Sequence, residues 1–207
     1  MLLEELVDIL VLNSGTKVEL KKLKKEYYIY SIMHYATIKK FDIANGEGVR
    51  VSIFVSGCSH HCPGCFNDIA WPFEYGEEFT KEVEDEIINA CGSSYIKGLS
   101  LLGGEPFEKV NQLGLISLVR RFKKEYPNKT IWCYSGYLFD EEILNENSSI
   151  HTEVTRELIG YIDVLVDGKF ALSLKDISLK FKGSSNQRII DVQESLKQGK
   201  VVLHSLN

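Results

Sequence analysis

A chain of 207 residues, 44% hydrophobic and 26% charged, has the composition of a soluble globular protein with room for one cored domain and too little for two. The formal net charge of −5 argues against a nucleic-acid backbone as the main partner, since phosphate binding wants a basic face. No apolar run approaches the roughly 20 residues that a membrane-spanning helix needs.

In chain order, residues 1–32 open with the amphipathic stretch Leu2-Leu3-Glu4-Glu5-Leu6-Val7-Asp8-Ile9-Leu10-Val11-Leu12 and pass through Lys21-Lys22-Leu23-Lys24-Lys25. Acids in place of a basic start, and no small-residue cleavage site, make this a poor secretory signal. Two readings compete: a genuine extension, or upstream sequence translated from an over-early start. From Met33 onward, short apolar runs alternate with helical periodicity. Strands are expected at Val49 to Val55, Gly98 to Leu102, Thr130 to Tyr134 and Ile162 to Val166. Helices are expected at Thr80 to Cys91, Val110 to Lys124 and Thr152 to Gly160. Thr80 followed by Glu82, Glu84 and Asp85 reads as a cap with acids at the positive end of the helix dipole. Val83, Ile87, Ile88 and Cys91 then recur at helical spacing. This alternation predicts an α/β domain over 33–207, with parallel strands and right-handed crossovers.

The chemistry concentrates after the first of these strands, at Cys58-Ser59-His60-His61-Cys62-Pro63-Gly64-Cys65. Three of the five cysteines crowd into eight positions, which suits a metal better than a disulfide framework and points to a reducing, cytoplasmic compartment. Three thiolates on one short loop can grip three irons of a 4Fe-4S cluster and leave the fourth open. Such clusters ordinarily take four cysteines, so a missing ligand suggests chemistry at the metal. A zinc site completed by His60 or His61 is the competing reading. Cys91 and Cys133 stand apart and read as small buried apolar residues. Further on, Gly103-Gly104-Glu105-Pro106 closes the second predicted strand, where paired glycines permit close backbone approach.

The ordered set of strings resembles the radical S-adenosylmethionine superfamily, and within it the activating proteins of the anaerobic ribonucleoside-triphosphate reductase. It comprises Asp42-Ile43-Ala44-Asn45-Gly46-Glu47-Gly48-Val49-Arg50, Phe54-Val55-Ser56-Gly57-Cys58, Cys62-Pro63-Gly64-Cys65-Phe66-Asn67, Trp71, Gly103-Gly104-Glu105-Pro106, Tyr134-Ser135-Gly136-Tyr137, Asp163 to Phe170 and Gly183-Ser184-Ser185-Asn186-Gln187. The resemblance implies an incomplete β/α barrel, open on one side, with the cluster loop after its first strand. It implies Cys58, Cys62 and Cys65 as iron ligands. Gly64, Phe66, Asn67, Gly104 and Glu105 would meet S-adenosylmethionine, with Gly104 and Glu105 at its methionine amino group. It implies reductive cleavage of that cofactor to a 5′-deoxyadenosyl radical, fed by an electron donor such as flavodoxin, and a glycyl radical left on the partner reductase. No protein acid or base is required, and no membrane or nucleic-acid partner is expected. His60 and His61 read as polar residues near the cluster. Asp163, Asp167 and Lys169 read as residues that orient loops, and Gly183 to Gln187 as a turn into an edge strand that meets the partner. The alternatives are activation of another glycyl-radical enzyme, a small-molecule radical enzyme, and a zinc-binding interaction module.

Overall fold

A computed structural model describes residues 32–207, which form an open, mixed sheet of seven strands with helices packed on one face. The amphipathic N-terminal stretch, with the question of its status as an extension, lies outside the described residues. The elements in order are β1 (His34–Asp42), β2 (Val49–Val55), β3 (Glu77–Glu78), α1 (Lys81–Cys91), β4 (Ile96–Gly103), α2 (Lys109–Glu125), β5 (Thr130–Tyr134), α3 (Thr155–Tyr161), β6 (Val164–Asp167), β7 (Arg188–Asp191) and α4 (Val192–Gln198). Across the sheet the order is β3-β1-β2-β4-β5-β6-β7.

The four central strands, β2, β4, β5 and β6, run parallel, as the strand–helix alternation predicts. Both flanks depart from that expectation: β1 is antiparallel to β2 and to β3, and β7 is antiparallel to β6. For β1 the reason lies in its connection to β2. β1 returns into β2 through the short turn of residues 43–48, too short for the crossover that parallel pairing demands. Helix α1 starts where the sequence places its cap, with the Thr80 hydroxyl accepting the Val83 N–H at 3.4 Å.

Alternation along each strand divides the sheet into two unlike faces. Val51, Ile53, Val55, Leu99, Leu101, Ile131, Cys133 and Leu165 point to the helices and join Ile87, Leu115, Leu118, Phe122 and Leu158 in the main core. Each such side chain, fully buried, contributes about 1.5–3 kcal/mol. Cys91 and Cys133 are buried in this core, as small apolar residues should be. The alternate positions carry Arg50, Ser52, Ser100, Trp132 and Tyr134, so the face turned away from the main core is polar and aromatic at its centre. Because the four parallel strands point the same way, the loops after Val55, Gly103, Tyr134 and Asp167 all leave one edge. That edge is where open α/β sheets bind ligands.

Candidate functional site

The cysteine loop leaves β2 at Ser56 and is tied down on both sides before it turns. On one side Gly57 and Cys58 donate their N–H groups to the carbonyls of Ala70 and Trp71, at 2.8 and 3.0 Å. On the other, Gly57 O accepts the Glu105 N–H at 2.8 Å and Val55 O accepts the Gly104 N–H at 2.6 Å. The two loops touch so closely that a Cβ on Gly104 would stand 2.4 Å from Gly57 O. The strand ends thus require the glycine for backbone contact.

Cys58, Cys62 and Cys65 are free thiols lining one basin of about 510 Å³ at the carboxyl edge of the sheet. Gly64, Phe66, Gly104 and Glu105 line the same basin, so seven of the eight residues singled out in the sequence come together there. Asn67, the eighth, follows one residue later and gives its backbone N–H to Cys65 Sγ at 3.4 Å. Each of the other sulfurs also faces main-chain N–H groups: those of His60 and His61 at Cys58, and that of Phe170 at Cys62. Burial pushes the Cys58 thiol up to about 12 against the pull of those two N–H groups, and it raises Cys62 as well. A metal would reverse that balance, because a coordinating thiol loses its proton outright.

Glu105 is the hub of the site. It is 1% exposed, and its carboxylate accepts three hydrogen bonds and meets a fourth polar partner. Oε1 takes the Phe107 N–H and the Ser135 hydroxyl, both at 2.8 Å; Oε2 takes the Gly136 N–H at 2.7 Å and faces His60 Nε2 at 3.0 Å. One side chain therefore cross-ties the loops after β2, β4 and β5. Its acceptor capacity is directed into the protein, so the four partners occupy what an ammonium would use. Nearby, the Asn111 side-chain amide donates to Ser56 O and Glu105 O, both at 2.9 Å, and adds a second tie from α2. The His60 ring lies 4.2 Å from the Tyr137 ring, centroid to centroid, and a Cβ on Gly136 would meet it at 2.4 Å. The string Tyr134 to Tyr137 is thus the seat of His60. His61 packs against Trp71 at 4.7 Å. Among the described residues no group of three His, Cys, Asp or Glu side chains closes around a single ion.

The far wall of the basin is the long connection from β6 to β7, including Gly168, Phe170, Lys175, Asp176, Ile177 and Gln187. Here the sequence reading fell short. Leu172 sits over Gly64, whose φ is +74°; a Cβ there would stand 2.9 Å from a Leu172 methyl carbon. Gly64 is a left-handed turn with this connection packed on it. The signal available in the sequence was the length of the segment between the Asp167 and Arg188 strands. Asp163 and Asp167 act on the scaffold. Asp163 accepts from Lys123 Nζ at 2.7 Å and the Ile131 N–H at 2.6 Å, while Asp167 holds Arg188 and the Phe139 N–H. A second depression of about 570 Å³, between Lys40, Phe41, Glu86 and Tyr95, holds no cysteine.

Residues 44–190 match the model of a family described as a 4Fe-4S single cluster domain. The anaerobic ribonucleoside-triphosphate reductase-activating protein of Escherichia coli (strain K12) is 45% identical over 157 residues, which cover 75% of this chain and 96% of that protein. The proteins of the same name from Haemophilus influenzae and Enterobacteria phage T4 are 42% and 38% identical, over 97% and 93% of their own lengths. The chain belongs to the family of anaerobic ribonucleoside-triphosphate reductase-activating proteins, with their 4Fe-4S single cluster domain.

Proposed function

We propose that this protein is the activating enzyme of an anaerobic ribonucleoside-triphosphate reductase, and that Cys58, Cys62 and Cys65 hold a 4Fe-4S cluster whose fourth iron takes S-adenosylmethionine. The observation that carries this reading is the basin itself: three free thiols from one loop, each facing main-chain N–H groups, beside an open cavity. N–H groups directed at sulfur stabilise thiolate ligands and set a cluster's potential. Held by Cys58, Cys62 and Cys65, such a cluster would supply one-electron reductive cleavage of S-adenosylmethionine and, through it, hydrogen-atom abstraction from a glycine of the reductase.

The chain's own residues position and exclude. Glu105 fixes the Gly103-Gly104 backbone, so that its peptide groups, rather than the engaged carboxylate, meet the methionine end of the cofactor. Phe66 and Asn67 follow the third ligand and flank the nucleoside. The Tyr134 hydroxyl and the Trp71 indole N–H are buried beside the basin with no hydrogen-bond partner among the described residues, and both suit a polar ligand. The four parallel strands and their open flanks support an incomplete β/α barrel of the radical S-adenosylmethionine type. An external donor such as flavodoxin delivers the electron, and the cytoplasm is the compartment consistent with reduced cysteines.

The match to a 4Fe-4S single cluster domain favours the cluster over a zinc-binding module. The contact of His60 Nε2 with Glu105 leaves Nδ1 open and does not decide between the two, while His61 packs on Trp71. Anaerobic reconstitution with iron and sulfide, followed by dithionite, S-adenosylmethionine and the reductase, tests the proposal. The expected result is a glycyl signal in the reductase by electron paramagnetic resonance, abolished by Cys58→Ala. Stoichiometric zinc without inorganic sulfide in oxygen-free protein overturns it.

A further inference from the structure

The connection from β6 to β7 is far longer than joining two neighbouring antiparallel strands requires. Hairpin loops ordinarily take about 2–5 residues, and long connections in compact domains are commonly functional. Here 20 residues separate Asp167 from Arg188. They are also tied together by their own hydrogen bonds. A 3₁₀ turn spans Leu172–Leu174, Lys175 bridges to Ser184, and Leu174 O accepts the Ser185 N–H at 2.9 Å. At the base, Gln187 Oε1 accepts the N–H groups of Gly183 and Ser184, while the Asn186 side chain donates to Lys169 O at 2.9 Å. The string Gly183 to Gln187 is the staple that holds this strap in shape.

What the strap presents does not match its surroundings. Leu172 is 53% exposed, Leu174 44% and Ile177 95%, and across the basin Phe66 is 81% exposed. Single exposed apolar residues are ordinary, but a cluster on two elements flanking one opening marks an interaction site. The strap is also basic: Lys169, Lys175, Lys180 and Lys182 face one acid, Asp176, in a chain whose net charge is −5. A local excess of one sign against the global balance favours a partner surface of the opposite sign. Leu172 and Leu174 stand outside the basin lining, where a small ligand buried in the pocket would not reach them.

We propose that the strap of residues 169–187 is the platform on which the target protein docks. It receives an extended, glycine-bearing loop flanked by acidic residues, with Leu174 and Ile177 as apolar anchors and the exposed lysines as the charged rim. This rests on the activating function proposed above. It adds to that function the surface that brings the partner's loop to the basin mouth.

The double variant Leu174→Glu/Lys180→Glu tests it, because neither residue lines the basin. In reconstituted full-length protein, dithionite-driven cleavage of S-adenosylmethionine without partner should be unchanged. The KM for the reductase in glycyl-radical formation should rise about tenfold or more, with kcat nearly constant. Direct binding of the reductase, followed by fluorescence anisotropy and needing no turnover, should weaken equally, and wild-type binding should fall with salt between roughly 0.05 and 0.4 M. Leu113→Glu, an exposed apolar position on α2, is the control and should bind as wild type. A partner KM and affinity within twofold of wild type overturn the docking assignment. So does a variant effect confined to self-association in sedimentation, which would make a second copy the occupant. If the wild type binds the reductase but generates no radical, the functional reading falls while the anisotropy still decides where docking occurs.

Discussion

Glu105→Gln keeps the shape of the side chain and removes its charge, so it isolates the hydrogen bonds that hold the site together. Each carboxylate oxygen has one partner that can adapt and one that cannot. Ser135 can rotate its hydroxyl and His60 can change tautomer, but the Phe107 N–H at Oε1 and the Gly136 N–H at Oε2 are fixed backbone donors. Whichever way the amide turns, its NH₂ group faces one of those N–H groups. A buried donor left unpaired costs about 1–3 kcal/mol, and the remaining bonds lose the strength that an ionised acceptor gives, so the total is roughly 3–5 kcal/mol. That is a large part of the roughly 5–15 kcal/mol that holds a domain folded. At about 2–4 °C per kcal/mol for a domain of this size, the apo protein should melt about 6–20 °C lower. The assay is anaerobic thermal and urea unfolding of apo protein under reducing conditions, paired with iron retained after reconstitution. A loss below about 1 kcal/mol would refute the hub, because the satisfied bonds to a buried carboxylate cannot be exchanged for an amide at so small a cost.

Other perturbations separate scaffold from site. Arg50→Lys should destabilise the apo protein by about 2–4 kcal/mol in urea, since three donors on one atom cannot replace a guanidinium that reaches Ser100, Glu47 O, Leu99 O and both oxygens of Thr130. An unchanged urea midpoint would show that those acceptors find other partners. Gly64→Ala should cost about 1–2 kcal/mol through its left-handed backbone and lower cluster occupancy by iron and sulfide analysis; the Leu172 methyl can move aside, so strain at φ +74° dominates. At Glu84, burial raises the carboxyl's pKa, but hydrogen bonds from Lys81, Ser117 and Arg121 outweigh it and hold the group below its ordinary value of 4.5. A depressed folded-state pKa gives stability that is present above 4.5 and lost as pH falls through the lower value, so Glu84→Gln should flatten the acid limb of the stability profile below about pH 4.5. Parallel acid limbs for variant and wild type would remove Glu84 from that role.

Legibility in the sequence followed how far each feature depends on local pattern. β2 and β5 fall where their apolar runs end, and α1 begins at its threonine cap, because burial on one face and a capping hydroxyl leave a periodic trace. β1 left none: His34–Asp42 is partly exposed on both faces over most of its length, so its alternation carries no hydrophobic signal. The cysteine loop was readable because ligand chemistry needs specific residues at close spacing. Arg50, Asn111 and Glu105 were not readable as a framework. Their partners lie 50 and 80 residues away for Arg50, 55 and 6 for Asn111, and 45, 30 and 31 for the Glu105 contacts with His60, Ser135 and Gly136. Nothing in a linear string distinguishes such a residue from a solvated one until the sheet order brings the loops together.

The sheet also explains why destabilising the site and destabilising the domain are different experiments. The face toward the helices is apolar from Val51 across to Leu165 and supplies the burial that keeps the chain folded. The opposite face has buried Arg50 near the amino ends of the parallel strands, on donors to carbonyls and hydroxyls, and burial pulls its guanidinium down to about 10 without neutralising it. Glu105 does the corresponding work at the carboxyl ends, as an acceptor of N–H and O–H groups. Arg50 and Glu105, both buried and neither paired with the other, pin the two ends of the same strands. Loosening Arg50 should weaken the domain while the basin keeps its form; loosening Glu105 should release three of the basin's loops at once. A Glu105 variant whose unfolding free energy falls while cluster loading stays at wild-type level would break that division, because the loop it ties down through His60 is the one that carries all three thiols.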